Sequence, residues 1–270
     1  MNQTKIEWCD YTWNPVTGCL HNCEYCYARG IARRFGGRSI STGNYLDGNQ
    51  KFEKCCKETK SCRELDAPMA IERQNGKFQF APFPYVFDPT FYRYRLEQPA
   101  KMKKPQNIFV CDMADLFGEW VPDEWISEVF KACEAAPQHR YLFLTKNPER
   151  LVKLRGKHKL PNLNNFWYGT TINNPDNAYF YDRLSSGRNV FLSAEPLLKP
   201  FDFTELVLTN WMIIGAETGD RKGKIIPKRE WVENIVKSCR ERDIPVFMKG
   251  SLIDIWGESL IQEFPWEVAK

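Results

Sequence analysis

The chain has 270 residues, of which 43% are hydrophobic and 27% charged, the composition of an ordinary globular protein large enough to bury a core. Its net charge of +4 permits an anionic partner without requiring one. Because the N-terminus carries no apolar signal region and no stretch is apolar enough to span a membrane, we expect a cytoplasmic protein without a membrane partner.

Cysteines supply the most informative motif. The chain has 10 cysteines, which in a cytoplasmic setting favour metal binding over disulfides. Cys19, Cys23 and Cys26 form a C-x3-C-x2-C run in which Tyr25 precedes the last cysteine. Three thiolates on one loop can bind three irons of a cubane cluster and leave the fourth iron open for chemistry. The spacing also leaves open a structural Cys3His zinc site that includes His21, although no partner C-x2-C pair occurs elsewhere.

This motif resembles the signature of the radical S-adenosylmethionine (SAM) superfamily. The chain is similar to a phage-associated branch of unknown function over these segments: Ile6–Cys19, Phe109–Trp120, Phe143–Arg150 and Ser193–Leu197. The resemblance implies a 4Fe-4S cluster held by Cys19, Cys23 and Cys26, with S-adenosyl-L-methionine bound to its unique iron through the amino and carboxylate groups. It further implies reductive cleavage of SAM to methionine and a 5′-deoxyadenosyl radical, with an electron donor such as flavodoxin or ferredoxin.

Residues 38–85 lie outside this resemblance and lack a clear period. We expect an insertion here after the first helix, either a β-hairpin or an irregular flap. Alternating aromatic residues from Phe78 onward indicate a strand packed on the domain. Cys55, Cys56 and Cys62 are expected to be free thiols, because three cysteines are one ligand short of the usual four.

The rest of the chain alternates short apolar runs with helical stretches, which indicates β-α units and a parallel sheet. The predicted strands are Thr12–Val16, Asn107–Cys111, Tyr141–Leu144, Phe166–Thr170, Val190–Ser193, Trp211–Ile214 and Val246–Met248. The predicted helices are Glu24–Phe35, Asp123–Ala135 and Lys228–Arg242, with another beginning at Asn174. We therefore expect an α/β fold. The resemblance implies a partial (β/α) barrel of the radical SAM type, with about six to seven parallel strands in one domain over residues 1–270.

Parallel barrels gather their active-site residues at the carboxyl ends of the strands, where this chain places polar side chains. The resemblance implies that the SAM amino group lies near Asp112, where either backbone carbonyls or the carboxylate accept its hydrogen bonds. It makes Tyr25 or Tyr27 a neighbour of the adenine. The remaining residues expected to bind SAM, including its ribose hydroxyls, are Thr170, Thr171, Asn173, Ser193 and Glu195.

Glu195 and Glu217 end adjacent predicted strands and should face each other. With Lys146 or Lys249 nearby, paired carboxylates would suit SAM binding or proton transfer to a substrate, so these are the predicted catalytic residues. A buried ion pair that only stabilises this end of the barrel is the alternative interpretation.

Basic clusters suggest a substrate class. One cluster follows the motif (Arg29, Arg33, Arg34 and Arg38), a second lies before the second predicted strand (Lys101, Lys103 and Lys104), and a third follows the sixth predicted strand (Arg221, Lys222, Lys224, Lys228 and Arg229). A solvated helix face explains each cluster, yet the first and third would lie near the barrel mouth. We therefore hypothesise an anionic substrate, with nucleic acid ahead of a peptide or small metabolite. The alternative function is a structural zinc protein that binds nucleic acid without catalysis.

Overall fold

The fold is given by a computed structural model that describes residues 1–36, 45–46, 63–72, 78–173, 187–200 and 209–268. Most of the expected insertion lies outside these residues, as do Arg38, Cys55, Cys56 and Cys62 and the helix predicted to begin at Asn174. Within the described part, no helix is both long and apolar enough to cross a membrane.

Strands and helices alternate along much of the chain. The strands are β1 (Asn2–Gln3), β2 (Tyr11–Trp13), β3 (Val16–Thr17), β4 (Tyr45–Leu46), β5 (Arg63–Leu65), β6 (Ala70–Glu72), β7 (Phe78–Phe80), β8 (Thr90–Tyr92), β9 (Asn107–Val110), β10 (Arg140–Thr145), β11 (Phe166–Thr171), β12 (Asn189–Ala194), β13 (Met212–Ile214) and β14 (Val246–Met248). The α-helices are α1 (Tyr27–Phe35), α2 (Gln98–Lys101), α3 (Asp123–Glu134), α4 (Pro148–Gly156), α5 (Arg229–Arg240), α6 (Ile253–Trp256) and α7 (Pro265–Val268).

A large, mostly parallel sheet of eight strands has the order β1-β2-β9-β10-β11-β12-β13-β14. Its edge strand β1 is antiparallel to β2, whereas β2 and β9 are parallel, as are the successive pairs from β11 to β14. Two smaller sheets have the orders β3-β8-β5 and β4-β6-β7. The predicted α/β class is confirmed, and the radical SAM-type partial barrel stays a prediction.

The chain consists of two compact units, each of which makes most of its contacts within itself. The first consists of Met1–Thr4 and Cys9–Tyr141, and the second of Lys5–Trp8 and Leu142–Lys270. The expectation of a single domain over residues 1–270 stays a prediction.

Two boundaries in the first unit differ from the prediction. The strand predicted over Thr12–Val16 is interrupted at Asn14 and Pro15, so that β2 pairs with β9 while β3 pairs with β8. Proline has no amide hydrogen to donate to a strand partner, which favours a break at this point. The helix predicted from Glu24 begins three residues later, because Cys23 and Cys26 close a turn in which the Cys26 amide donates to the Cys23 carbonyl.

The second unit is built on strands β11 to β14, whose residues are nearly all buried. Such continuous apolar runs are typical of parallel strands covered on both faces. Helix α5 covers one face with Val232, Ile235 and Cys239, which recur at helical spacing and belong to the same core as Leu192 and Met212. Trp211, the residue preceding Met212, points to the opposite face of the sheet and packs among other aromatic rings. Trp211 contacts Trp8, Trp167, Phe191 and Phe247.

Candidate functional site

The cysteine motif forms a tight connection between β3 and α1. Gly18 begins it with φ of 88°, and a Cβ at this position would collide with the carbonyl of Asp88. The Gly18 amide donates to the Met113 carbonyl over 2.9 Å. At the other end, Cys26 caps α1, and its Sγ accepts the Arg29 amide over 3.4 Å. The motif is therefore held at both ends by contacts that its sequence specifies.

The three motif cysteines are half-buried free thiols. Burial raises the pKa of the Cys19 thiol to about 12. A hydrogen bond from the backbone of His21 acts in the opposite direction and lowers this pKa, whereas negative charge at Asp115, Cys23 and Cys26 raises it. Cys23 and Cys26 are thus both close enough to Cys19 to influence its pKa. That these three cysteines bind one cluster stays a prediction.

The donor groups of the cysteine loop can be compared with the ligands that a single metal ion and a cubane cluster require. Among the residues that the structure describes, no three His, Cys, Asp or Glu side chains converge on a position for a single metal ion. In a cubane cluster each thiolate binds a different iron, so its ligands do not need to converge on one point. Three free thiols on one loop, the last of which caps α1, supply the three protein ligands that a cluster of this kind needs.

His21 makes other contacts in this arrangement. Its Nε2 lies 2.7 Å from Oδ2 of Asp115, and its ring stands edge-on to Trp120. A Cys3His zinc site that used Nε2 would have to break the contact with Asp115. A site that used Nδ1 instead could keep this contact, because a zinc-bound histidine commonly donates its other ring N–H to a carboxylate.

Asp112 lies beside the start of α1. The side-chain amide of Asn14 donates to Oδ1 of Asp112 over 2.6 Å. The Oδ1 of Asn14 itself accepts a hydrogen bond from the Met113 amide over 3.0 Å. The Tyr27 hydroxyl donates to the Asp112 carbonyl over 3.0 Å. Burial raises the pKa of Asp112, and hydrogen bonds from Asn14 and Thr12 oppose this. The structure thus brings Asp112 to the helix that leaves the cysteine motif, and Tyr25 is half-buried in the same loop.

A second polar group lies at the carboxyl ends of strands in the second unit. The ammonium of Lys249, just after β14, forms an ion pair with the carboxylate of Glu195, just after β12. The amide that follows, Gly250 N–H, donates to Oε1 of Glu7 over 2.7 Å. Ser251 Oγ accepts the Ala216 amide over 3.0 Å. Three consecutive residues after β14 are therefore tied to three different segments, which makes this edge well defined.

Two predicted SAM ligands in this unit are buried hydroxyls. Thr170 Oγ1 and Ser193 Oγ have no hydrogen-bond partner among the described residues. Strand register places Thr171 opposite Ser193 and Thr170 opposite Leu192, so the two orphaned hydroxyls point to opposite faces of the sheet. An unsatisfied buried hydroxyl costs about 1–3 kcal/mol, which a ligand or water at the site would offset. The structure brings Ser193 and Thr171 together on one face but separates Thr170 from them.

The remaining predicted residues have individual environments. Glu217 is buried and accepts two bonds from Arg221, over 2.6 Å from Nε and 2.8 Å from Nη2. The guanidinium of Arg221 holds the pKa of the Glu217 carboxyl below its ordinary value. Glu195 and Glu217 thus each have their own cation. Lys146 and Asn173 are half-buried just after β10 and β11.

Sequence reasoning missed Asn14 and Glu7, which fix Asp112 and Gly250. Both missed residues belong to the N-terminal segment that carries the family resemblance, and that was the signal that could have identified them. Their partners lie far away along the chain, so local pattern does not predict the contacts.

Comparison with known proteins gives a family and nothing more specific. The family described as Protein of unknown function (DUF5131) matches residues 3–81 and 44–263. No curated protein and no solved structure gives a match. Since the family match spans well over half of the chain, this protein belongs to the DUF5131 family.

Proposed function

We propose that this protein is a radical SAM enzyme in which Cys19, Cys23 and Cys26 hold a 4Fe-4S cluster. One observation carries the proposal. The loop of three half-buried free thiols is hydrogen-bonded to the segment after β9 that bears Asp112. When bound, such a cluster supplies the electron for reductive cleavage of SAM. The three thiols complete its protein ligands and leave one iron for SAM.

The chain's own residues would bind and orient SAM. Asn14 and Thr12 hydrogen-bond to the Asp112 carboxylate and fix its position, and because each carboxylate oxygen has two lone pairs, the group can still accept from an ammonium such as that of SAM. Ser193 offers a buried hydroxyl without a partner among the described residues, suited to a polar ligand atom. We retain the assignment of Tyr25, Thr170, Thr171, Asn173 and Glu195 to SAM binding, and of Lys146, Glu195, Glu217 and Lys249 to catalysis, as part of the proposal.

The test is anaerobic reconstitution with iron and sulfide, followed by incubation with SAM and dithionite. We expect a brown protein with about four irons per chain, the content of one cubane, and formation of 5′-deoxyadenosine. The Cys239→Ala variant is the matched control, because Cys239 is a buried thiol of the α5 core and should not affect iron binding. A colourless protein that retains stoichiometric zinc and forms no 5′-deoxyadenosine would establish the structural zinc alternative instead.

The substrate of this proposed enzyme stays a hypothesis, with nucleic acid the first candidate. Arg221 is already paired with Glu217, so it contributes less free positive charge than the sequence suggests. Lys222 and Lys224 are exposed, and Lys224 Nζ donates to the Gly219 carbonyl. These two lysines are cations of this cluster that a phosphate backbone could contact.

A further inference from the structure

The loop between β13 and α5 exposes two consecutive isoleucines at its tip. Ile225 is 38% exposed and Ile226 is 67% exposed, although burial of such side chains from water is favourable. The next residue, Pro227, is buried, so the chain returns to the fold directly after the tip. Two adjacent aliphatic side chains held in solvent would gain free energy from a partner that covers them.

The loop is anchored at its base by a buried carboxylate. Glu217 accepts two hydrogen bonds from the Arg221 guanidinium, over 2.6 and 2.8 Å, and another from the Ile225 backbone. Between these anchors, the Lys224 amide donates to the Arg221 carbonyl over 3.1 Å. The first residue of the tip is therefore tied directly to the segment that follows β13, which gives the tip a defined position.

Positive charge surrounds this tip. Lys222, Lys224 and Lys228 are exposed, and none of them forms an ion pair within the part of the chain that the structure describes. The two arginines of the same segment, Arg221 and Arg229, are in contrast paired with glutamates. Three lysine ammonium groups around an apolar tip select an anionic partner.

The loop also lies at the end of the sheet where the Glu195–Lys249 ion pair is found. Strand β13 is parallel to β12 and β14, so the segments that follow these three strands leave the sheet at the same end. Glu217, at the base of the loop, is itself one of the residues proposed for catalysis. A partner bound at the tip would therefore lie at the same end of the sheet as these residues.

We propose that Ile225 and Ile226 form a wedge that enters duplex DNA between two stacked base pairs. The three lysines would contact phosphates on either side of the opened step. Apolar side chains, isoleucine among them, insert between base steps in the minor groove in this way and partly unstack them.

The inference rests on the proposed function, in which nucleic acid is the first candidate substrate, and gives that substrate a form. A base inside a duplex is covered by its neighbours, so an enzyme that acts on a base first takes it out of the stack. The wedge would perform this step before any chemistry, with no covalent bond made or broken.

The loop suits a duplex better than an acidic protein. A stable protein interface buries about 800 Å² on each partner and is enriched in aromatic residues. Residues 218–229 contain no aromatic side chain, and their apolar tip consists of two isoleucines. A wedge enters a single base step, so one or two aliphatic side chains are enough.

A test of unstacking uses the full chain and a short DNA duplex in which 2-aminopurine replaces one adenine. The fluorescence of 2-aminopurine rises when the base leaves the stack, so the wild type should raise it. The Ile225→Ser/Ile226→Ser variant should lose most of this rise but still bind the duplex with the same salt dependence, because the lysines make the phosphate contacts. The matched control is Leu163→Ser, which changes a 40% exposed aliphatic residue before β11, at the opposite end of the sheet. This control should keep the full rise.

A mismatched duplex provides a second measurement. A mismatched base pair costs less to open, so the wild type should bind a duplex containing one with a Kd about tenfold lower than that of the matched duplex. This preference should disappear in Ile225→Ser/Ile226→Ser. The Lys222→Glu/Lys224→Glu variant should instead weaken binding of both duplexes equally.

These measurements need neither a cluster nor SAM, so they are independent of the test of the proposed function. A fluorescence rise from a protein that forms no 5′-deoxyadenosine would refute the radical SAM function and support the wedge. An equal rise in the wild type and Ile225→Ser/Ile226→Ser, or no binding of the duplex at low salt, would overturn the inference. Binding of poly-glutamate that is tighter than that of the duplex, and lost in the same variant, would also overturn it and assign the loop to an acidic polypeptide.

Discussion

The ammonium of Lys249 is paired with the carboxylate of Glu195 directly over the position of Gly215. Strand β13 lies between the strands that the two charged residues follow, and Gly215 is the first residue after it. A Cβ on Gly215 would lie 3.2 Å from Cγ of Glu195 and 3.2 Å from Cδ of Lys249. The missing side chain therefore leaves the space that the ion pair occupies.

Replacing Gly215 should perturb the Glu195–Lys249 ion pair more than it lowers the free energy of unfolding. In Gly215→Ala both charged side chains must shift by a few tenths of an ångström, which loosens the pair at little cost in packing. We expect 5′-deoxyadenosine formation to fall about tenfold while the free energy of unfolding changes by about 1 kcal/mol. The control is Gly30→Ala in α1, where a Cβ meets open space and should stabilise the helix by about 0.5–1 kcal/mol. Full activity in Gly215→Ala would contradict a role for this pair.

The entrance to the cysteine loop should be intolerant of any side chain. Gly18→Ala combines a positive φ with a collision against the Asp88 carbonyl, which is backbone and cannot move aside cheaply. We expect a loss of at least about 1–3 kcal/mol in the free energy of unfolding, together with loss of reconstituted iron. Chemical denaturation and iron analysis provide the measurements. Normal iron content in the Gly18→Ala variant would show that the loop forms without this turn.

Iron content should depend on the motif and not on the other cysteines. Cys23→Ala removes one of three thiolate ligands, so we expect loss of iron or a labile three-iron cluster. Replacing Cys55, Cys56 and Cys62 together by Ser should leave the iron content unchanged. If the triple variant lost about four irons per chain, those cysteines would hold an auxiliary cluster and our expectation of free thiols would be wrong.

Glu263 should make stability depend on pH. Its oxygens accept bonds from Arg240 over 2.7 and 2.8 Å and from the Val246 amide over 3.0 Å. Hydrogen bonds from Arg240 hold the pKa of Glu263 below its ordinary value. A carboxylate with a lowered pKa stabilises the fold above its unfolded pKa, and this stabilisation is lost as pH falls through the folded pKa. Glu263→Gln should therefore lower the free energy of unfolding by about 0.5–1 kcal/mol at pH 7.

The same measurement across pH completes the test of Glu263. The difference between wild type and Glu263→Gln should shrink as the solution is acidified, because the wild-type carboxylate then takes up a proton. A difference that grows on acidification would contradict the assignment. The Arg240→Met variant should show a similarly reduced dependence on pH.

Nucleic-acid binding by the second unit can be tested through its salt dependence. Affinity for short DNA and RNA should fall by roughly one power of salt concentration for each phosphate contact. In Lys222→Glu/Lys224→Glu we expect both the affinity and the slope to decrease. The control is Lys237→Glu on α5, away from this cluster along the chain. No binding at low salt, or binding indifferent to the charge reversal, would favour a peptide or small metabolite as substrate.

Much of the sheet was predictable because its strands are marked locally. Strands β11, β12 and β14 are short apolar runs between polar segments, and such runs are buried wherever they fold. Helices α3 and α5 begin within about one residue of their predicted starts, after Pro122 and Pro227, since proline favours a helix start. The spacing of the motif cysteines likewise placed three thiols on one loop before any fold was known.

The environment of each site residue depended on partners that no local pattern contains. Asn14 lies 98 residues from Asp112, and Glu7 lies 243 residues from Gly250. Strand register, which places Ser193 and Thr170 on opposite faces, is set by pairing between strands and not by either strand alone. Local sequence patterns therefore indicated which segments are buried and which loop carries three thiols. Only the tertiary structure decided which polar groups are paired, because hydrogen bonds and ion pairs form between whichever groups the packed backbone brings together.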